Sequence, residues 1–143
     1  MSAVERPPFH LAFPVDDLEA ARRFYGGVLG CAEGRSSETW VDFDLFGHQI
    51  VAHLDPALDD ERRTNAVDGD AVPIFHFGLV LDVPTFERLA ADLEEKNCHF
   101  IVEPRVRFEG QPGEQHTMFV RDPAGNALEF KAFADPSRIF ATG

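Results

Sequence analysis

Apolar and polar residues alternate along Phe9-His10-Leu11-Ala12-Phe13, the pattern of a strand whose successive side chains point to opposite faces. Leu18, Ala21, Phe24, Tyr25 and Leu29 then recur at three-to-four spacing behind Asp16-Asp17, which predicts an N-capped helix with one apolar stripe. Gly26-Gly27 lies inside that stripe and loosens its last turn, and Gly30 is a natural stop. Two strands are expected next, at 39–46 and 48–54, joined around Gly47. Residues 55–74 are acidic and polar with no periodic apolar face, so they read as a linker or surface loop. The pattern restarts at Phe75-His76-Phe77-Gly78-Leu79, with His76 standing 66 positions after His10 (76 − 10). A second helix opens at Val83-Pro84 and carries Phe86, Leu89, Ala90 and Leu93, ending near Asn97-Cys98. A short strand at 101–102 and a Gly/Pro-containing loop at 103–113 lead to a hairpin. Its strands are Thr117-Met118-Phe119-Val120 and residues 127–133, turning through Asp122-Pro123-Ala124-Gly125-Asn126, where Pro presets φ and Gly or Asn accepts φ > 0.

Both halves read strand, helix, further strands, so the chain is an internal duplication of about 60 residues per unit. The fold class expected is α+β: one domain of two βαβββ modules forming an open curved mixed sheet. The first module spans 7–55, a linker 56–72, the second module 73–135 and a tail 136–143. Each module buries one sheet face under its own helix and leaves the other free. Phe9, Leu11 and Phe13 take the packed face of the first strand, as Phe75, Phe77 and Leu79 do in the repeat. His10 and His76 are left on the opposite side beside small residues. On the last strand Leu128 and Phe130 pack and Glu129 opposes them. A carboxylate in an apolar strand costs several kcal/mol if unpaired. His10, His76 and Glu129 are therefore candidate metal ligands, two His and one carboxylate, as in non-haem Fe(II) sites with open positions.

A formal net charge of −12 argues against nucleic acid or an anionic membrane as partner, because both reward Lys and Arg. No apolar run approaches the ~18 residues of a membrane span, and MSAVERPPF lacks the layout of a signal peptide. A soluble, cytoplasmic protein is expected. Cys31 and Cys98 have no metal-binding spacing and read as buried free thiols in a reducing compartment.

With FHLAF and its helix LEAARRFYGGVLG, the second-module FHFGLVL, and RDPAGNALEFK, residues 9–133 resemble the vicinal oxygen chelate superfamily. That superfamily includes glyoxalase I, extradiol dioxygenases, and the fosfomycin- and bleomycin-resistance proteins. The resemblance implies paired modules around a metal, with His10, His76 and Glu129 at the ligand positions. Aligning Gly47 with Gly125 makes Val51 the mate of Glu129 (129 − 78), so the fourth ligand of glyoxalase I is missing. His53 shares its parity and is either a substitute ligand or a cavity residue. The remaining set resembles that of extradiol dioxygenases, although Phe119 stands where their ring-cleavage signature has Tyr.

These residues imply an enzyme using Fe(II) or Mn(II), with Zn(II) or Ni(II) possible, on a small substrate chelated through vicinal oxygens. His53 and His116 are the acid/base candidates. Val51, Arg107, Phe119 and Lys131 are the substrate-contact candidates, Arg105 or Arg107 meeting an anionic group. The alternatives are a glyoxalase-like lyase or isomerase, and a metal-free drug- or metabolite-binding protein. The resemblance also implies a homodimer, with Ile139 and Phe140 of the tail packing on a second subunit.

Overall fold

Alternation at the start of the chain becomes strand β1, His10–Val15, in a computed structural model that describes residues 6–59 and 64–142. The chain divides after Asp59 into two compact units. In the first, Asp17 Oδ1 accepts from the N–H groups of Glu19 and Ala20 and caps helix α1, Leu18–Ala21. The regular helix expected beyond it is replaced by a π-helical segment, Arg22–Val28. Leu29 N–H there reaches back five residues to the Phe24 carbonyl. Gly26-Gly27, the weakest helix formers in the run, lie in that segment, where the wider turn costs least. The stripe survives as Ala21, Phe24 and Tyr25, all buried. Tyr25 is the hub, its ring centroid 5.2 Å from Phe13 and 5.4 Å from Phe43.

Strands β2 (Ala32–Ser36), β3 (Trp40–Leu45) and β4 (His48–Leu54) complete the first sheet in the order β1-β4-β3-β2, with β1 parallel to β4. The segment AEGRS of β2 was not anticipated as a strand. All five of its residues are exposed, so it has no apolar alternation to betray it. Backbone pairing to β3, interrupted between Glu33 and Ser36, holds it.

The second unit begins where a linker was expected. Part of the stretch expected to be a linker forms a hairpin, β5 (Thr64–Val67) and β6 (Asp70–Pro73); residues 60–63 of that stretch lie outside the described residues. Asp68 (φ 45°) and Gly69 (φ 84°) make its two-residue turn, the geometry that Asp-Gly favours because both positions need φ > 0. Then come β7 (His76–Val80), α2 (Val83–Glu95), β8 (Phe100–Arg107), β9 (Gln115–Arg121) and β10 (Ala127–Phe133). The order β7-β10-β9-β8, with β7 parallel to β10, repeats that of the first unit strand for strand. Strand β8 overruns the expected loop at 103–113. Its register shifts between Phe100 and Val102 and again before Arg105, which breaks the alternation a strand would show.

Phe86, Leu89, Ala90 and Leu93 of α2 are buried as expected, and the helix packs on β9 and β10. Phe9 and Phe75, expected to pack, are 64% and 61% exposed; each lies just outside the start of its strand. Cys31 is buried, Cys98 partly so, and both are free. No described helix is long and apolar enough to cross a membrane.

Candidate metal centre

In the second unit the turn between β9 and β10 sets the register that builds the site. Asp122 Oδ1 accepts from the N–H groups of Ala124 and Asn126, Oδ2 accepts from the Asn126 amide, and Gly125 takes φ 96°. Counting back from that turn pairs Glu129 with Phe119 and Lys131 with Thr117. Period-two alternation puts these four side chains on one sheet face. It sends His116, Met118 and Val120 to the other, where Phe86 of α2 lies 5.7 Å from the His116 ring.

Strand β7 joins this face by pairing Gly78 with Glu129. The two backbones meet closely, since a Cβ at Gly78 would stand 1.6 Å from the Glu129 carbonyl oxygen. His76 Nε2 then lies 3.3 Å from Glu129 Oε1. The other atoms of the pair are tethered. His76 Nδ1 is 2.7 Å from the Pro73 carbonyl, which only accepts, so Nδ1 carries the proton and Nε2 is turned to Glu129. Thr117 Oγ1 donates to Glu129 Oε2 at 2.5 Å.

The hydrogen bond to Glu129 raises the pKa of His76 above an ordinary imidazole, with the Pro73 carbonyl adding to it against partial burial and Lys131. For Glu129, burial pushes upward, but the bonds from His76 and Thr117 and the charge of Lys131 outweigh it and hold the carboxyl below its usual range. Both shifts describe an ion pair.

A histidine and a carboxylate that converge by one atom each, with their other polar atoms fixed from behind, match the way metal-bound side chains are oriented. Imidazole nitrogen and carboxylate oxygen also suit a divalent transition metal. The donor chemistry of the dyad therefore fits a metal. Among the described residues no group of three or more His, Cys, Asp or Glu side chains comes together.

In the first unit His10 Nδ1 lies 2.7 Å from Gln49 Oε1, and Gln49 Nε2 donates to the buried Asp42 at 3.2 Å. Its ring is thus tethered through Nδ1, as that of His76 is. Val51 is buried and pairs with Ala12, as Glu129 pairs with Gly78, which is the equivalence the sequence offset gave. His53 is exposed on β4. His116 faces α2 instead of the dyad and, with Ala90 and Arg105, lines a shallow groove of about 320 Å³.

Phe119 is 1% exposed, and its ring meets His76 edge-on at 5.0 Å. It also neighbours Arg107, whose Cζ stands 5.9 Å from the ring centre. Arg107 is 3% exposed; Nη1 donates to the Val67 carbonyl at 2.6 Å, and Nη2 lies 2.9 Å from Asp70 Oδ2. Arg105 spans Asp68 and Asp70 at 3.0 Å each. Lys131 Nζ sits over the Phe133 ring, 5.7 Å from its centre. Sequence reasoning missed Thr117 and Pro73, and it took Gly78 as room for a ligand where the structure uses it for close approach of β7 to β10. Only Thr117 left a signal, since register counted from the Asp122 turn sets it diagonally beside Glu129.

Comparison with known proteins adds four findings. The family model described as "Glyoxalase/Bleomycin resistance protein/Dioxygenase superfamily" matches residues 8–130. A solved structure from Alicyclobacillus acidocaldarius, described as a glyoxalase/bleomycin resistance protein/dioxygenase, is 33% identical with a TM-score of 0.81, covering 94% of this chain and 96% of that one. A virulence protein of Salmonella typhimurium is 25% identical over 124 residues, 87% of this chain and 82% of its own length. A fosfomycin resistance protein from Listeria monocytogenes shares the fold at 15% identity, with a TM-score of 0.68 and coverage of 95% and 100%.

Proposed function

The chain belongs to the glyoxalase/bleomycin resistance protein/dioxygenase superfamily, and from that premise we propose a metal-dependent enzyme acting on a small substrate bound through two neighbouring oxygens. The observation that carries this reading is the His76–Glu129 dyad, tethered by Pro73 and Thr117. A sequestering protein that binds only an apolar drug has no use for a half-buried ion pair on its sheet face. The third ligand in this reading is His10, the repeat equivalent of His76, and the metal is Fe(II) or Mn(II) in preference to Zn(II) or Ni(II). Val51 supplies no fourth ligand, which favours dioxygenase-type chemistry over a glyoxalase-like lyase or isomerase.

A divalent metal held there would act as a Lewis acid and lower the pKa of a bound enol or catechol hydroxyl. The protein's own contribution is orientation. Pro73 fixes the His76 tautomer, and Thr117 holds one Glu129 oxygen so that the other is presented. Phe119 packs His76 and keeps water from its edge, but with no hydroxyl it neither donates a proton nor bonds a catecholate. His53, exposed on β4, remains the acid/base candidate; His116 is withdrawn because it faces the helix. A homodimer is part of the reading, supported by a tail whose Ile139 and Phe140 are 38% and 86% exposed.

Metal analysis of anaerobically purified protein tests the proposal. Wild type should carry about one equivalent per chain, and Glu129→Ala, His76→Ala and His10→Ala should each lose most of it. Oxygen uptake with catechols and other vicinal diols then follows. No bound metal, and none taken up from Fe(II), Mn(II), Zn(II) or Ni(II), sinks the enzymatic reading.

A further inference from the structure

We propose that Arg107 is a carboxylate socket on the sheet face that carries the dyad, guarded by Asp70, so that the substrate is an oxygen chelator bearing a carboxylate as well. This rests on reading that face as the substrate face. Its basis is which guanidinium atoms are used. Nη1 is taken by the Val67 carbonyl. Among the described residues, Nε and Nη2 have no hydrogen-bond partner although both are sealed from solvent.

These two atoms form one edge of the guanidinium, with two parallel N–H bonds that match the two oxygens of a planar carboxylate. Asp70 Oδ2 stands 2.9 Å from Nη2 but is not aligned to accept from it, and it is shared with Arg105 Nη1 at 3.0 Å. Asp70 therefore balances the charge without closing a hydrogen bond to the edge. The guanidinium lies over Phe119, whose ring also meets His76, so socket and dyad flank one aromatic side chain. Val72, Val102 and Phe119 form a buried apolar cluster there, with Ile101 packed against it, so the guanidinium borders an apolar environment. In this scheme an incoming carboxylate takes the Nε–Nη2 edge and displaces Asp70, which keeps its bond to Arg105.

The test uses the full chain stripped of metal with a chelator, so that loss of the dyad's metal and loss of the socket are read separately. Benzoate is the probe, benzamide its neutral control and inorganic phosphate the tetrahedral control. Binding is read by calorimetry and by the Arg107 Nε–H signal in ¹⁵N NMR, assigned by its absence in Arg107→Lys. Benzoate should shift that signal, and benzamide should not. Asp70→Asn removes the guarding charge and should tighten benzoate by about tenfold. Arg107→Lys keeps the charge but not the edge and should lose benzoate. The proposal is overturned if benzoate moves no Nε–H signal, if Arg107→Lys binds it as well as wild type, or if phosphate binds as tightly. Should Asp70→Asn fail to fold, the wild-type NMR titration decides alone.

Discussion

At the scale of single residues, parity along two strands was enough to find His76 and Glu129, because a lone carboxylate among apolar neighbours demands a partner. Parity did not reveal what fixes them. A backbone carbonyl such as Pro73 has no sequence signature, and Thr117 announces itself only once the hairpin register is known. The pair has a testable electrostatic consequence in chelator-treated protein. His76 has its pKa raised, so its contribution to stability is complete below the unfolded value of 6.5 and is lost as pH rises through the folded value. Glu129 has its pKa lowered, so its contribution is complete above 4.5 and lost as pH falls through the folded value. The gap in stability between wild type and Glu129→Gln should be widest between 4.5 and 6.5 and should narrow at pH 9, as measured by urea denaturation. A gap independent of pH would mean that the pair is not ionic. Cys31 provides a second check at this scale. Burial, with Asp44 adding to it, pushes its thiol up to about 11, so at pH 8 it should resist a disulfide reagent until denaturant is added.

At the scale of elements, strands with one packed face were legible and those without were not. Strand β10 could be read because Leu128 and Phe130 alternate with Glu129; β2 could not, since all of its residues meet solvent. Strand β8 hid behind two bulges. The β5–β6 hairpin did carry a legible mark, Asp68-Gly69 between TNAV and DAVP, but the acidic composition around it suggested a loop. The Asp122 turn was readable and can be tested: Asp122→Ala leaves two backbone N–H groups without their acceptor and should cost about 1–3 kcal/mol. Gly78 is the tighter constraint, set by contact and not by φ. With the Glu129 carbonyl 1.6 Å from where a Cβ would be, Gly78→Ala must push β7 off β10. The overpacking should cost about 1–3 kcal/mol in thermal melts and part His76 from Glu129, lowering metal uptake together with stability. Full metal content in Gly78→Ala would show that β7 has slack the contact denies.

At the scale of the whole chain, the duplication was visible in the sequence because His10 and His76 open equivalent strands, and the sheets confirm it by register. Ala12 pairs with Val51 as Gly78 pairs with Glu129, so the two units are built alike while only the second has a carboxylate at that point. What the sequence could not supply was the use made of charge. The 25 Asp and Glu against 13 Lys and Arg leave an excess of twelve negative charges, which repel one another in any folded arrangement. Working against this, Arg22 bridges Glu19 and Glu33, while Arg105 and Arg107 draw on Asp68 and Asp70. These cations neutralise only some of the carboxylates, and exposed pairs are worth about 0–1 kcal/mol each. The unpaired excess should therefore dominate the response to salt. Raising NaCl from about 10 mM to 300 mM shortens the Debye length from about 30 Å to below 8 Å, which screens repulsion between distant charges more than attraction within contacts. The expected result at fixed pH 7.5 is a rise in melting temperature of about 2–4 °C, the shift that about 1 kcal/mol produces in a chain of this size. A fall would mean that the ion pairs of Arg22, Arg105 and Arg107 contribute more than the net charge costs. Arg105→Ala would then be the variant in which the sign reverses.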